Sequence, residues 1–278
     1  MENKKKKPIK LFVILGIIGL LVGTVAWSFY MAPTQFELEK VTYTNTSIPQ
    51  GFDGFKIAFI SDFDLEDEED LDYLESCINT INNDSCDMII FGGDIFENAQ
   101  IFSEERLISI LKGINVTKGK LAVLGENEIK GNTDQCVQLL EKSGFEVMRN
   151  TAHYIYSNND RIVFAGLENH GDVNSILSED MTTSFILTAV HQPDYFKDIQ
   201  NSVSALQLSG HSAGGYIQIP FIGGIVKIDG AKTYINGNTT INNHTLMISN
   251  GIGMSHDQKF RFNCNPNALI ITLKASTN

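Results

Sequence analysis

Cysteine is scarce and scattered in this 278-residue sequence. Cys77, Cys86, Cys136 and Cys264 form no C-x-x-C pair, which argues against a structural zinc framework. Unpaired or semi-buried thiols fit this pattern better than a set of disulfides. Basic side chains are also in short supply, at 21 Lys and Arg against 33 Asp and Glu. Setting aside the five Lys and one Glu of residues 1–30 leaves 16 basic and 32 acidic side chains, a formal charge of −16. Such a surface repels phosphate backbones and anionic headgroups, so no nucleic-acid partner is expected, and it concentrates divalent cations. There is no internal repeat, no low-complexity tract and no arginine pair ahead of the apolar segment that would mark twin-arginine export.

That apolar segment is the exception to the general balance. Lys4, Lys5, Lys6, Lys7 and Lys10 precede an uncharged run from Leu11 to Met31, closed by Trp27, Phe29 and Tyr30. Roughly 20 apolar residues span a bilayer as a helix, and aromatic rings favour the headgroup level. The lysines predict a cytoplasmic N-terminus, a single pass through the cell membrane and an extracytoplasmic domain. A cleaved signal peptide is the alternative, although Val25-Ala26-Trp27-Ser28 makes a poor cleavage site. The chain divides into residues 1–31, a basic tail and transmembrane anchor; 32–54, a linker and opening strand; and 55–278, one domain able to bury a sizeable core.

Within that domain, short apolar runs alternate with helical periodicity. Ile57–Ile60, Met88–Phe91 and Leu121–Leu124 read as buried strands. Leu71, Leu74, Ile78 and Ile81 mark a helix whose first turn carries Asp67 to Asp70, and Leu107–Ile114 and Val137–Leu140 mark two more. The second half is richer in strands: Arg161–Leu167, Ser184–Val190, Ala205–Ser209, Gly215–Ile219, Ala231–Ile235, Thr245–Ser249 and Ala268–Leu273. Short helices are expected near Asp172–Leu177 and Asp194–Ile199. An α/β (α+β) architecture of two sheets packed face to face, flanked by helices, accommodates both halves.

Polar residues follow each strong strand: Ser61-Asp62-Phe63-Asp64, Gly92-Gly93-Asp94, Gly125-Glu126-Asn127-Glu128, His191-Gln192-Pro193-Asp194 and Ser209-Gly210-His211-Ser212. Ligands of open α/β sheets bind beyond the carboxyl ends of strands. A lone Asp there is usually a cap or turn residue, and a lone His an ordinary polar one. Five such ends in series point instead to a cation held by carboxylates and imidazoles.

In order and spacing these stretches resemble the calcineurin-like metallophosphoesterases, in a small membrane-anchored bacterial branch, over roughly residues 55–274. Ile219-Pro220-Phe221-Ile222-Gly223, Ser249-Asn250-Gly251-Ile252-Gly253 and Arg261-Phe262 extend the likeness. The resemblance implies a four-layer fold, a two-sheet β-sandwich flanked by helices, and two metals bridged by an Asp. It places Asp94 at the bridge, His191 and His211 as imidazole ligands of the second metal, and Asp62 as a ligand of the first. The family's Asp-x-His reads Asp62-Phe63-Asp64, so Asp64 replaces an imidazole. Its Gly-Asn-His-Asp/Glu reads Gly125-Glu126-Asn127-Glu128, which puts Glu126 at a metal position and Asn127 at the catalytic His position. Its Gly-His-x-His reads Gly210-His211-Ser212-Ala213, and Ala213 offers no donor.

The site is therefore expected to be partly degenerate and to hold one divalent ion (Mn, Fe, Zn or Mg) rather than two. The expected function is hydrolysis of a phosphoester, on a small molecule or a lipid. The alternative is an inactive homologue that binds a metal, a ligand or a protein. His153, His170, His244 and His256 are read as ordinary surface or loop residues. The run Glu66–Asp70 is read as a solvated helix start, and alternatively as a negative rim beside the site.

Overall fold

Successive residues of the first buried strand enter two different cores. Ile57 and Phe59 pack into one, Ala58 and Ile60 into the other, so this strand is covered on both faces. The computed structural model that shows this describes residues 9–98, 100–253 and 259–276. Lys4 to Lys7 and His256 lie outside the described residues.

In chain order the strands of the first half are β1 (Glu37–Asn45), β2 (Lys56–Ile60), β3 (Met88–Phe91), β4 (Gly119–Ala122), β5 (Glu146–Val147), β6 (Thr151–Ser157) and β7 (Asp160–Leu167). Those of the second are β8 (Ile186–Val190), β9 (Leu206–Ser209), β10 (Gln218–Ile219), β11 (Gly223–Gly224), β12 (Gly237–Ile241), β13 (His244–Ile248) and β14 (Asn267–Ala275). The helices are α1 (Ile9–Tyr30), α2 (Glu68–Asn82), α3 (Glu104–Lys112), α4 (Glu126–Lys130), α5 (Thr133–Lys142) and α6 (Phe196–Ile199).

Two six-stranded sheets result, in the orders β1-β14-β2-β3-β4-β5 and β12-β13-β9-β8-β7-β6. The runs β2–β5 and β7–β9 are parallel, so their carboxyl ends point the same way within each sheet. Phe59, Ile90 and Val123 of one sheet meet Phe164, Leu187 and Leu208 of the other in the central core. Helices α2, α3 and α5 cover the outer face of the first sheet through Leu74, Leu107 and Leu140. Helix α6 covers the second through Phe196 and Ile199. The four-layer α/β sandwich read from the sequence is the observed fold.

The acidic run opens α2. Asp67 caps the helix by accepting from the Glu69 and Asp70 amides at 2.9 and 3.1 Å, and Asp70 reaches back to the Asp67 amide at 3.2 Å. A cap of this kind contributes about 1 kcal/mol. Two sequence readings require correction. Residues 231–235 form no strand, because Asp194 takes their amides: Lys232, Thr233 and Tyr234 all donate to its carboxylate at 2.9–3.0 Å. Only Ala231 keeps a bridge, to Ile228. Residues 215–219 yield only the two-residue β10, in a hairpin with β11.

Helix α1 is the one described helix long and apolar enough to cross a membrane, and with the short turn after it gives a candidate span of Leu11–Thr34. Its end is tied to the domain: Ser28 is buried, its carbonyl accepts from the Arg261 amide at 3.0 Å, and Phe29 meets Phe260 edge-on at 4.9 Å.

Candidate metal centre

The parallel strands deliver their trailing loops to one place. The loops after β2 and β3 are joined by Asp62 N–H to Gly93 O at 2.8 Å and Phe63 N–H to Asp94 O at 2.7 Å. Those after β8 and β9 are joined by Gly210 N–H to His191 O at 3.1 Å. The fit is close enough that a Cβ on Gly125 would collide with the Asp94 carboxylate, and one on Gly93 with the Gly125 backbone. Asp62, Asp64, Asp94, His211 and Ala213 all adopt positive φ, between 45° and 67°. Non-glycine residues avoid that region, and its concentration in one set of loops marks a functional site.

At the centre, one ligand atom each from Asp94, His191 and His211 lies within 4.8 Å of the other two. His191 is fully buried, with Nδ1 on the Gly92 carbonyl at 2.8 Å and Nε2 3.1 Å from Asp94 Oδ2. His211 has Nε2 on the Asp229 carbonyl at 2.6 Å, which turns Nδ1 inward. A carbonyl only accepts, so each outer nitrogen carries a hydrogen. The inner ones, His191 Nε2 and His211 Nδ1, then face each other at 3.1 Å with their lone pairs. Two acceptors at that distance require a proton or a cation between or beside them. Two nitrogens bound tetrahedrally to one zinc-like ion, each about 2.0–2.1 Å away, stand about 3.3 Å apart. These residues therefore fit a metal ion.

The electrostatics agree. Burial alone depresses an imidazole, yet Asp94 and Asp62 outweigh it and push His191 up to about 10. Burial raises Asp94, and the His191 charge and hydrogen bond more than reverse this, so its carboxyl falls below the usual range. His211 is pushed down by burial and by the neighbouring His191 charge. Asp62 is raised, chiefly by burial. Asp64 is raised well above the carboxylate range, by burial and then by the charges of Asp62, Asp94 and Glu97. Without a metal the centre is a carboxylate-rich pocket holding a proton on His191.

The other sequence-selected residues sit around this group. Both Asp62 oxygens accept the His211 amide, at 2.9 and 3.0 Å, and one lies 3.9 Å from His191 Nε2. Asn127 is in place through its backbone, donating to Asp94 Oδ1 at 2.9 Å. Glu126 is engaged away from the group, by Lys130 at 2.5 Å and by the Gln192 amide. The Ala213 carbonyl accepts from Arg261 at 2.6 Å and from the Cys264 thiol at 3.3 Å. His153 pairs with Glu146 at 2.6 Å, and His244 with the Ser204 carbonyl at 2.5 Å.

Sequence reasoning passed over Glu128, which is buried and accepts the amides of Asp94, Ile95 and Gly125 at 2.9, 2.5 and 2.7 Å. Burial, then the Asp94 charge, push it up to about 7. The signal was present: Glu128 stands at the third position of α4, where a carboxylate reaches back to the helix start. The Asp229 carbonyl had no such signal.

A two-sheet sandwich with acids and imidazoles on the carboxyl ends of its parallel strands defines an α/β class with a candidate metal centre. No family model matches the chain. Relatives do: the uncharacterized metallophosphoesterase YkuE of Bacillus subtilis is 33% identical over 261 residues, covering 91% of each chain. An uncharacterized metallophosphoesterase of Aquifex aeolicus is 26% identical over 275 residues, covering 94% of this chain and 99% of its own. The phosphodiesterase YaeI of Escherichia coli is 23% identical over 228 residues, covering 79% and 82%. The chain belongs to the metallophosphoesterases. Membership implies divalent metal at the centre and supports a metal-dependent phosphoesterase.

Proposed function

We propose that this chain is a membrane-anchored hydrolase of phosphoesters whose metal is held by Asp94, His191 and His211. The observation that carries the reading is the pair of inward imidazole nitrogens, 3.1 Å apart beside a buried carboxylate. A bound divalent ion lowers the pKa of its water and offsets charge developing on the phosphoryl oxygens. The chain's own groups prepare the site. The Gly92 and Asp229 carbonyls fix both tautomers, the Asn127 amide aims Asp94, and Glu128 holds the turn on which Asp94 sits. Asp62 and Asp64 supply carboxylates for a further ion, and Ala213 withholds the fourth donor, so one ion is the expected content. Glu126 ligates only if it gives up Lys130 and Gln192.

The Asn127 side chain cannot deliver a proton, so the leaving group must take one from solvent. This selects phosphoesters with good leaving groups, free or lipid-borne. The exposed apolar surface of Leu11–Thr34 supports placing α1 across the cell membrane. The lysines before it put the domain on the outer side.

The test uses the full chain in detergent. Bound metal is measured, and Mn²⁺-dependent hydrolysis of bis(p-nitrophenyl) phosphate is compared with that of His211→Ala. Turnover and metal both lost in the variant are the expected result. Metal without turnover in the parent chain makes this a binding protein, and a metal-free chain overturns the reading. Carbonate extraction tests the anchor, which must stay with the membrane fraction.

A further inference from the structure

From Ala213 to Val226 the chain carries no charged residue. The middle of this stretch is the β10–β11 hairpin, whose tip is Pro220-Phe221-Ile222. Phe221 is fully exposed, at 109% of its reference area, and Ile222 is 72% exposed, with Ile219 and Ile225 partly exposed beside them. Phe221 also adopts φ +69°. Hairpin tips with positive φ are ordinarily Gly, Asn or Asp, and a bulky aromatic there is strained. Sequence and backbone thus hold two costly features at one point, a bare aromatic ring in water and a left-handed conformation under it. A soluble surface has no use for either.

The position of the hairpin identifies what covers it. Its stem is joined to residues 260–262: Gln218 N–H donates to Phe262 O and Phe262 N–H to Tyr216 O, both at 2.9 Å. The next residue back, Arg261, donates its amide to Ser28 O in α1, and Phe260 meets Phe29 edge-on. A three-residue segment therefore separates the hairpin stem from the end of α1. Trp27, Phe29 and Tyr30 there are exposed, as rings at a headgroup level are.

We propose that the Phe221–Ile222 tip inserts into the same lipid leaflet as the end of α1, giving the domain a second point of contact with the bilayer. An apolar, uncharged wedge continuous with a membrane-spanning helix calls for lipid, and the acidic domain gains no electrostatic attraction to anionic headgroups to replace it. The consequence reaches the centre. The chain leaves it at His211 and returns at Asp229, whose carbonyl holds the His211 ring. The lipid-seated hairpin is the excursion between those two residues, so seating it fixes the orientation of the His211 side of the centre relative to the membrane surface. The inference rests on α1 lying in a bilayer, and it is independent of whether the centre turns over substrate.

The experiment is a depth measurement on the full chain in phosphatidylcholine–phosphatidylglycerol vesicles. All four native cysteines are buried, so Phe221→Cys takes an environment-sensitive NBD label selectively. Ile222→Cys is a second probe, and Tyr156→Cys on the far edge strand β6 is the aqueous control. The expected result is loss of most NBD emission to acyl-chain spin-labelled lipid at 221 and 222, with shielding from iodide, at a depth of about 5–10 Å. Iodide access at both tip positions equal to that at 156 overturns the proposal. Shielding from iodide without lipid quenching also overturns it, since protein then covers the tip. Failure of the chain to float with vesicles removes the anchor itself, a different result from a floating chain with a wet tip.

Discussion

His191 Nε2 and His211 Nδ1 face each other across 3.1 Å, each ring locked by a carbonyl on its far side. In the absence of metal the proton on His191 Nε2 faces Asp94 Oδ2 as well as His211 Nδ1, both at 3.1 Å, and a metal ion must displace it. His191 is raised from 6.5 to about 10, so the metal-free protein keeps that proton throughout the neutral range. Metal binding at pH 7–8 should release about one proton per site, and apparent affinity should rise about tenfold per pH unit until the pH nears 10. Calorimetry of Mn²⁺ binding in buffers of different ionisation enthalpy measures the proton count. The sign for the metal-free fold is opposite: a raised imidazole contributes fully below pH 6.5, and that contribution is lost as pH rises through about 10.

Glu128 supports Asp94 from behind, through three amides. Glu128→Ala strands those amides in a buried pocket and should cost about 3–5 kcal/mol of stability. The released Asp94 turn should weaken metal binding about 10–100-fold, the effect expected of an outer support. Glu128 is raised from 4.5 to about 7, so the metal-free fold gains stability as pH falls through that window. Urea unfolding should therefore show a larger penalty for the variant at pH 5 than at pH 8.

How much of this was legible follows from what each residue depends on. The strand ends could be read because buried parallel strands are largely apolar runs, and Asp94, His191 and His211 stand within three residues of the ends of β3, β8 and β9. The direction of Glu126 could not, since it is set by Lys130 one helical turn on and by Gln192 in a distant loop. The loss of a strand at 231–235 depends on Asp194, some 40 residues earlier, claiming those amides. Edge strand β6 was missed because its exposed and half-buried residues leave no continuous apolar run. Contacts remote in sequence and rotamer choices carry the remainder.

Asn127 occupies the position at which the family resemblance places an imidazole acid. Its backbone already holds Asp94, so Asn127→His keeps that hydrogen bond and adds a proton donor. General acid catalysis contributes about 10²–10⁴ in rate, most where the leaving group is poor. The variant should raise kcat at least about tenfold on an alkyl phosphodiester and change it little on the p-nitrophenyl ester. It should also add a fall in rate at high pH, as the new imidazole loses its proton. Parallel pH–rate profiles on the two substrates measure both effects.

Under the proposed one-ion reading Ala213 withholds a donor from a second ion, and its backbone conformation is one that a ligand residue can adopt. It lies at φ +47°, in the same left-handed region that His211 occupies at +67°. Among non-glycine residues His is one of those enriched in that region, so Ala213→His adds little backbone strain. The carbonyl is held by Arg261 and Cys264, contacts that do not involve the Cβ and survive the substitution. The new imidazole joins Asp62, Asp64 and Asp94, where burial first, and then the neighbouring carboxylate charges, raise both Asp62 and Asp64. Metal content should rise from one toward two equivalents, with the gain abolished by Asp64→Ala. Equilibrium dialysis against Mn²⁺ followed by elemental analysis decides it; an unchanged single equivalent would show that the first half-site lacks more than one donor.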